Sequence, residues 1–135
     1  MRVLVTGAAG RVGRAVFVRL ALEHEVLGFD RSPASTVHFT GDVGDGDVLR
    51  RALRGVDAIV HTAALHAPHV GFAPASEFER INVGATRLLA EHAAAAGIRN
   101  LVFTSTTALY GSAAAPAARA GWLDEQLAPQ PRTIY

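Results

Sequence analysis

The 135-residue chain is half hydrophobic and only 19% charged, with a net charge of +1, which is the profile of a globular domain rather than of a disordered or polyanion-coating protein. Without cysteine there are no disulfides, thiolate nucleophiles or cysteine metal sites. No apolar run approaches a membrane span, and the start VLV is cut off by Thr6-Gly7 too early for a signal-peptide core, so a cytoplasmic protein is expected. All 13 basic residues are arginine, so any chemistry that needs a lysine cannot run on these residues alone.

RVLVT (Arg2 to Thr6) predicts a first strand, and RVGRAVFVRLAL a helix, with Val12, Val16, Phe17 and Leu20 at helical spacing. EVLGFD (Glu25 to Asp30) and TVHFTGD (Thr36 to Asp42) predict the second and third strands. A short helix follows, with Asp45 or Asp47 as N-cap and Gly55 past its end. VDAIVHTAA (Val56 to Ala64) is apolar throughout, as expected of a parallel strand covered on both faces. After a loop from Leu65 to Ala75, a long helix is predicted over about Ser76 to Ala96, with Phe78, Ile81, Ala85, Leu88 and Leu89 on its buried stripe and Glu79, Arg80, Arg87 and Glu91 in water. NLVFTST (Asn100 to Thr106) is a fifth strand, and the Ala/Pro/Gly-rich remainder reads as a long loop. One α/β domain over residues 1–135 follows, a doubly wound parallel sheet in the order 3-2-1-4-5, with its ligand crevice beyond the carboxyl ends of strands one and four.

The first strand runs straight into TGAAGRVG, with glycines at Gly7, Gly10 and Gly13 and the helix opening on Arg11 and Val12. Glycine there lets the backbone turn tightly and approach a pyrophosphate, while the helix N-terminus offers free N–H groups and the positive end of its dipole. Asp30 closes the second strand, where a carboxylate can accept from the ribose hydroxyls of NAD. Arg31 is the residue that would meet a 2′-phosphate, so NADP stays open as the alternative cofactor.

TGAAGRVG, Asp30, GDV (Gly41 to Val43), HTAA (His61 to Ala64), NVGAT (Asn82 to Thr86) and FTSTTALYG (Phe103 to Gly111) resemble, in order and spacing, the extended short-chain dehydrogenase/reductase family of NAD-dependent sugar-nucleotide epimerases and dehydratases. The resemblance implies that Asp42 and Val43 sit at the adenine, that Ala63 and Ala64 let the cofactor pass over the end of strand four, and that Asn82 holds the long helix near the active site. It places the catalytic hydroxyl at Thr106, with Ser105 and Thr107 as near neighbours. It also makes Tyr135, after PQPRTI, the catalytic tyrosine of a Tyr-x-x-x-Lys helix.

A tyrosine in water titrates near about 10, so without the family's lysine it is a weak base at neutral pH. The resemblance therefore implies an incomplete cofactor-binding domain, truncated before the sixth strand and the substrate region, belonging to an oxidoreductase that acts on a nucleotide sugar or similar small molecule. A stand-alone NAD-binding module without turnover is the alternative. Tyr135 is expected to fray for want of its own helix, and the 76–96 helix to expose an apolar stripe that favours self-association, including a homodimer of the kind many relatives form. His66 and His69, in the loop over the nicotinamide, are candidates for touching substrate. No metal site is expected, His61 is expected to be a buried strand residue, and nothing suggests a nucleic-acid or membrane partner.

Overall fold

In the computed structural model, which describes residues 1–111 and 124–135, the apolar runs pair as one parallel sheet in the order β3-β2-β1-β4-β5, as the sequence predicts. The central strand β1 (Arg2–Thr6) pairs with β2 (Glu25–Asp30) through Leu4↔Leu27 and with β4 (Ala58–His61) through Leu4↔Ile59. β3 (Phe39–Thr40) and β5 (Asn100–Phe103) form the edges.

Successive residues of β1 serve opposite faces, as strand geometry requires. Leu4 belongs to the larger core, with Phe29, Ile59, Leu49 of helix α2 (Gly46–Ala52), and Phe78, Ile81, Ala85 and Leu89 of the long helix. Val5 belongs to the smaller one, with Val26 and with Val16, Phe17 and Leu20 of α1 (Arg11–Leu20). Asp45 caps α2, its Oδ1 accepting from the N–H groups of Asp47 and Val48. Gly55 and Gly97, at φ +68 and +76, lie past the ends of α2 and the long helix in the conformation that glycine adopts without strain.

The long helix is continuous but not uniform. α3 (Ala75–Phe78) leads into a π-helical stretch (Glu79–Ala85) and then α4 (Thr86–Ala95). The inward stripe expected of it is buried, with Phe78 at 1% and Leu89 at 0% exposure, while Val83 is exposed on its outer side. Leu101, Val102 and Phe103 of the edge strand β5 are also exposed.

The strands are shorter than their apolar runs. β3 starts late: His38 N–H still donates to Gly28 O, but the Gly28 N–H goes to His38 Nδ1 and the Thr36 hydroxyl to Ala8 O, so side chains take over part of the ladder there. β4 ends at His61 because Thr62 and Ala63 turn their N–H groups to Thr6 Oγ1. β5 then ends beside it at Phe103. Of the loop expected after β5, residues 112–123 lie outside the described residues. Among the described residues, no helix is long and apolar enough to cross a membrane.

One polar line crosses the core. His61, buried as expected, places Nδ1 2.6 Å from Thr6 Oγ1 and Nε2 2.9 Å from Thr86 Oγ1. The Thr86 hydroxyl donates to Asn82 O, so it can only accept from His61; the imidazole proton therefore sits on Nε2, and Nδ1 accepts from Thr6. Burial pushes the His61 pKa down to about 4, which keeps the ring neutral and this single tautomer in place.

Two stability outcomes follow. Leu4→Ala, at a fully buried position, is expected to cost about 3 kcal/mol in urea unfolding, whereas Leu22→Ala, at 74% exposure, changes stability by less than about 0.5 kcal/mol. Below the ordinary histidine pKa of about 6.5, unfolded His61 holds a proton that the folded state refuses until about pH 4, so stability falls as pH falls through that window. The slope attributable to His61 approaches about 1.4 kcal/mol per pH unit and should vanish in His61→Gln, measured as the difference between the two proteins' urea curves from pH 7 to 4.5.

Candidate functional site

A cleft of about 940 Å³ opens along the carboxyl ends of all five strands, lined by Gly7 and Gly10 after β1, Asp30 after β2, Asp42 after β3, Ala63 and Ala64 after β4, Thr104 and Ser105 after β5, and Tyr135. That volume lies within the range of small-molecule and cofactor sites. Arg11, Val12, Gly13, Arg31, Val43, His66 and His69 also line it. Of the site residues singled out in the sequence, Asn82, Thr106 and its neighbour Thr107 stand apart from its walls.

The glycine turn sets the floor. Gly7 has φ +72, and a Cβ there would come within 2.7 Å of Thr62 Oγ1; one on Gly13 would drive into the Gly7 carbonyl. Gly13 therefore lets α1 rest directly on the end of β1, and Gly7 lets the turn pass close to Thr62 and Ala63 after β4. Gly10 differs. It is the N-cap of α1, and a Cβ there would meet no atom of the protein within 4 Å except Gly7 O, so a side chain would fill cleft space instead. No side chain caps this helix start, so its first N–H groups are left to the cleft. A cradle that only an added Cβ would fill, under an uncapped helix N-terminus, fits a phosphate group.

Asp30 ties that turn to β2: Oδ2 accepts from Ala9 N–H at 3.0 Å and Oδ1 from Ser32 N–H at 2.9 Å. Arg31 beside it is exposed. Asp42 is held more firmly. Arg80, from the π-helical stretch, donates to Oδ1 at 3.1 Å and to Oδ2 at 2.9 Å, and Gly44 N–H donates to Oδ1 at 2.7 Å. Glu77 holds the same guanidinium from the other side. The Arg80 hydrogen bond lowers the Asp42 pKa against a smaller opposing effect of burial, so the carboxylate stays ionised. The sequence places Arg80 among water-facing residues, and no local spacing signals this pairing, because its partner lies 38 residues away.

Asn82 works through the backbone. Its Oδ1 accepts from Leu65 N–H and its Nδ2 donates to Leu65 O, both at 2.8 Å, fixing the chain just after Ala63 and Ala64. Thr106 heads the 3₁₀ turn Thr107–Tyr110, its Oγ1 accepting from Ala108 N–H at 3.1 Å, while Thr104 and Ser105 present themselves to the cleft. Tyr135, expected to fray, is half-buried and packs against the larger core. The His66 and His69 rings meet edge to face with centroids 4.7 Å apart, and His69 Nδ1 takes the His66 N–H. Among the described residues, no three His, Asp or Glu side chains gather as a metal site would require.

Residues 3–135 match the NAD dependent epimerase/dehydratase family. The 3 beta-hydroxysteroid dehydrogenase/Delta 5→4-isomerase of Mycobacterium tuberculosis is 37% identical over 119 residues, which are 80% of this chain and 32% of that protein. The UDP-glucose 4-epimerase of Streptomyces lividans is 36% identical over 120 residues, 80% of this chain and 36% of the relative. A solved short-chain dehydrogenase/reductase superfamily protein from Agrobacterium tumefaciens, with bound NAD, has a TM-score of 0.83 at 34% identity, covering 100% of this chain and 40% of its own. The chain spans about a third of the length of the curated relatives it matches. Matched in sequence over residues 3–135, and in fold over its whole length, the chain belongs to the NAD dependent epimerase/dehydratase family.

Proposed function

We propose that this chain is the cofactor-binding portion of an NAD(P)-dependent oxidoreductase of the epimerase/dehydratase type, acting on a hydroxyl or carbonyl carbon of a sugar nucleotide or a similar small molecule. The observation that carries this is the cleft floor: an uncapped helix N-terminus over Gly10, flanked by two carboxylates, Asp30 and Asp42, at the ends of neighbouring strands. A dinucleotide has the matching parts, with a pyrophosphate for the helix start, ribose hydroxyls for Asp30 and an adenine amino group for Asp42. Val43 lines the adenine end, and Ala63 and Ala64 keep the floor beyond β4 low.

The nicotinamide of the bound cofactor supplies a hydride acceptor or donor. Tyr135 would take the proton of the substrate hydroxyl as hydride leaves the carbon, and return it in the reverse direction. Thr106 would hold the reacting oxygen, since a hydroxyl that accepts the Ala108 N–H still has its own proton to donate. Ser105 is the second reading for that role, favoured by its place on the cleft wall. His66 and His69 stand where a substrate would enter. The relatives act on substrates as different as steroids and UDP-glucose, and the nucleotide sugar is proposed from the second of these.

Calorimetric titration with NAD, NADH and NADP tests the reading. Saturable binding of NAD is expected, and Gly10→Val should weaken it by about 100-fold, or about 2.7 kcal/mol, with an unchanged melt. No heat from a folded wild-type chain would overturn the cofactor assignment. Asp30→Asn, which keeps one carbonyl oxygen but loses the charge, should weaken NAD by about tenfold and narrow its advantage over NADP, because repulsion of the 2′-phosphate goes with that charge.

A further inference from the structure

The ring of Tyr135 reaches the cleft at the end of a segment, residues 124–135, that has no regular helix or strand of its own. One backbone clasp joins this segment to the turn after β5. Gln130 N–H donates to Leu109 O at 2.9 Å, inside the 3₁₀ turn Thr107–Tyr110. Gln130 stands between Pro129 and Pro131, neither of which has an N–H, so it is the one backbone donor in those three residues and it is used here. Pro131 also biases Gln130 toward extended backbone, so the chain arrives already stiffened.

Gly111 makes the other half of the clasp. It ends the turn at φ +28 and ψ −99, with its N–H on Ala108 O, and a Cβ there would drive into the Gln130 carbonyl and lie 3.2 Å from Arg132 Cγ. Any side chain at this position is excluded twice, by the positive φ and by the close approach of the Gln130–Arg132 segment. The clasp thus sets where the last five residue steps to Tyr135 begin, and with them the approach of its ring to the larger core and the cleft.

We propose that Gly111 is a positioning residue for Tyr135: by letting Gln130 lie against the Thr107–Tyr110 turn, it delivers the tyrosine ring into the cleft and references it to the same turn that Thr106 heads. The inference rests on reading Tyr135 as the proton-transfer residue of the proposed function. Gly111 itself does not line the cleft, and touches neither the glycine turn nor Asp30.

The test is fluorine NMR on the full chain labelled with 3-fluorotyrosine. The chain has two tyrosines, and Tyr110→Phe assigns the signal of Tyr135. In the wild type this signal should be displaced from that of the free amino acid and should move again on saturation with NAD. In Gly111→Ala it should return to the free position and stop responding to NAD, while NAD affinity stays within about threefold of wild type. Gln130→Pro, which removes the N–H and leaves Gly111 intact, should behave like Gly111→Ala; Gln130→Ala, which keeps the N–H, should behave like wild type.

A displaced, NAD-responsive signal in both Gly111→Ala and Gln130→Pro would overturn the proposal, as would a wild-type signal that is already at the free position. If NAD fails to bind the wild-type chain, the cofactor reading falls, and the clasp is still decided by the ligand-free comparison of wild type with the two variants.

Discussion

The site rests on an approach of backbone to backbone: the first turn of α1 lies on the carbonyl of Gly7, at a separation that leaves no room for a Cβ at Gly13. From that contact follow the direction of α1, the exposure of its first N–H groups toward the sheet's carboxyl edge and the low floor beneath Gly10. Asp30 reinforces it by accepting the Ala9 N–H, so the acidic end of β2 and the phosphate-sized cradle are parts of one hydrogen-bonded unit. The electrostatics of the floor are therefore built from main-chain groups held in fixed positions, with the carboxylates on either side supplying discrimination.

The opposite wall depends on the long helix. Through Thr86 and His61 the helix is joined to β1 and β4, through Asn82 to the backbone of Leu65, and through Arg80 to Asp42. Three polar links from seven consecutive residues thus reach three different strand ends. The buried link requires a neutral imidazole in one tautomer, while the exposed one requires both partners charged; with the His61 pKa pushed down to about 4 and that of Asp42 lowered by Arg80, the two requirements are met together at any pH above about 4 and the buried link is lost below it.

Much of this was legible in the sequence because it is local. The glycine spacing, the acidic end of β2, the apolar fourth strand and the stripe of the long helix all express themselves within one or two turns of chain, and the strand order follows from the handedness of crossovers. What was hidden is non-local. Arg80 looks like a solvated arginine until Asp42 is brought beside it, and β3 starts late where His38 and Thr36 bond to backbone across the sheet. Apolar periodicity also locates buried faces better than exposed ones: it placed the inward stripe of the helix correctly, but could not show that Leu101, Val102 and Phe103 of the equally apolar β5 are exposed. Tyr135 was expected to wander because nothing in PQPRTIY resembles a helix or strand; its seat comes from a turn about twenty-five residues earlier.

The π-helical stretch carries a consequence for how this chain can vary. Its outer side, with Val83 and Gly84, is exposed and should accept many side chains. Its length is another matter. Each residue of a helix advances the rotation by about 100°, and the wide turn from Glu79 to Ala85 is what allows Phe78 and Ile81 on one side and Asn82 and Thr86 on the other to face the sheet together. Deleting one residue here would tighten the turn to ordinary pitch and rotate one half against the other, pulling either the aromatic anchor out of the core or the amide away from Leu65. The segment is thus permissive toward substitution and closed to insertion or deletion, a constraint on reading frame and alignment rather than on composition.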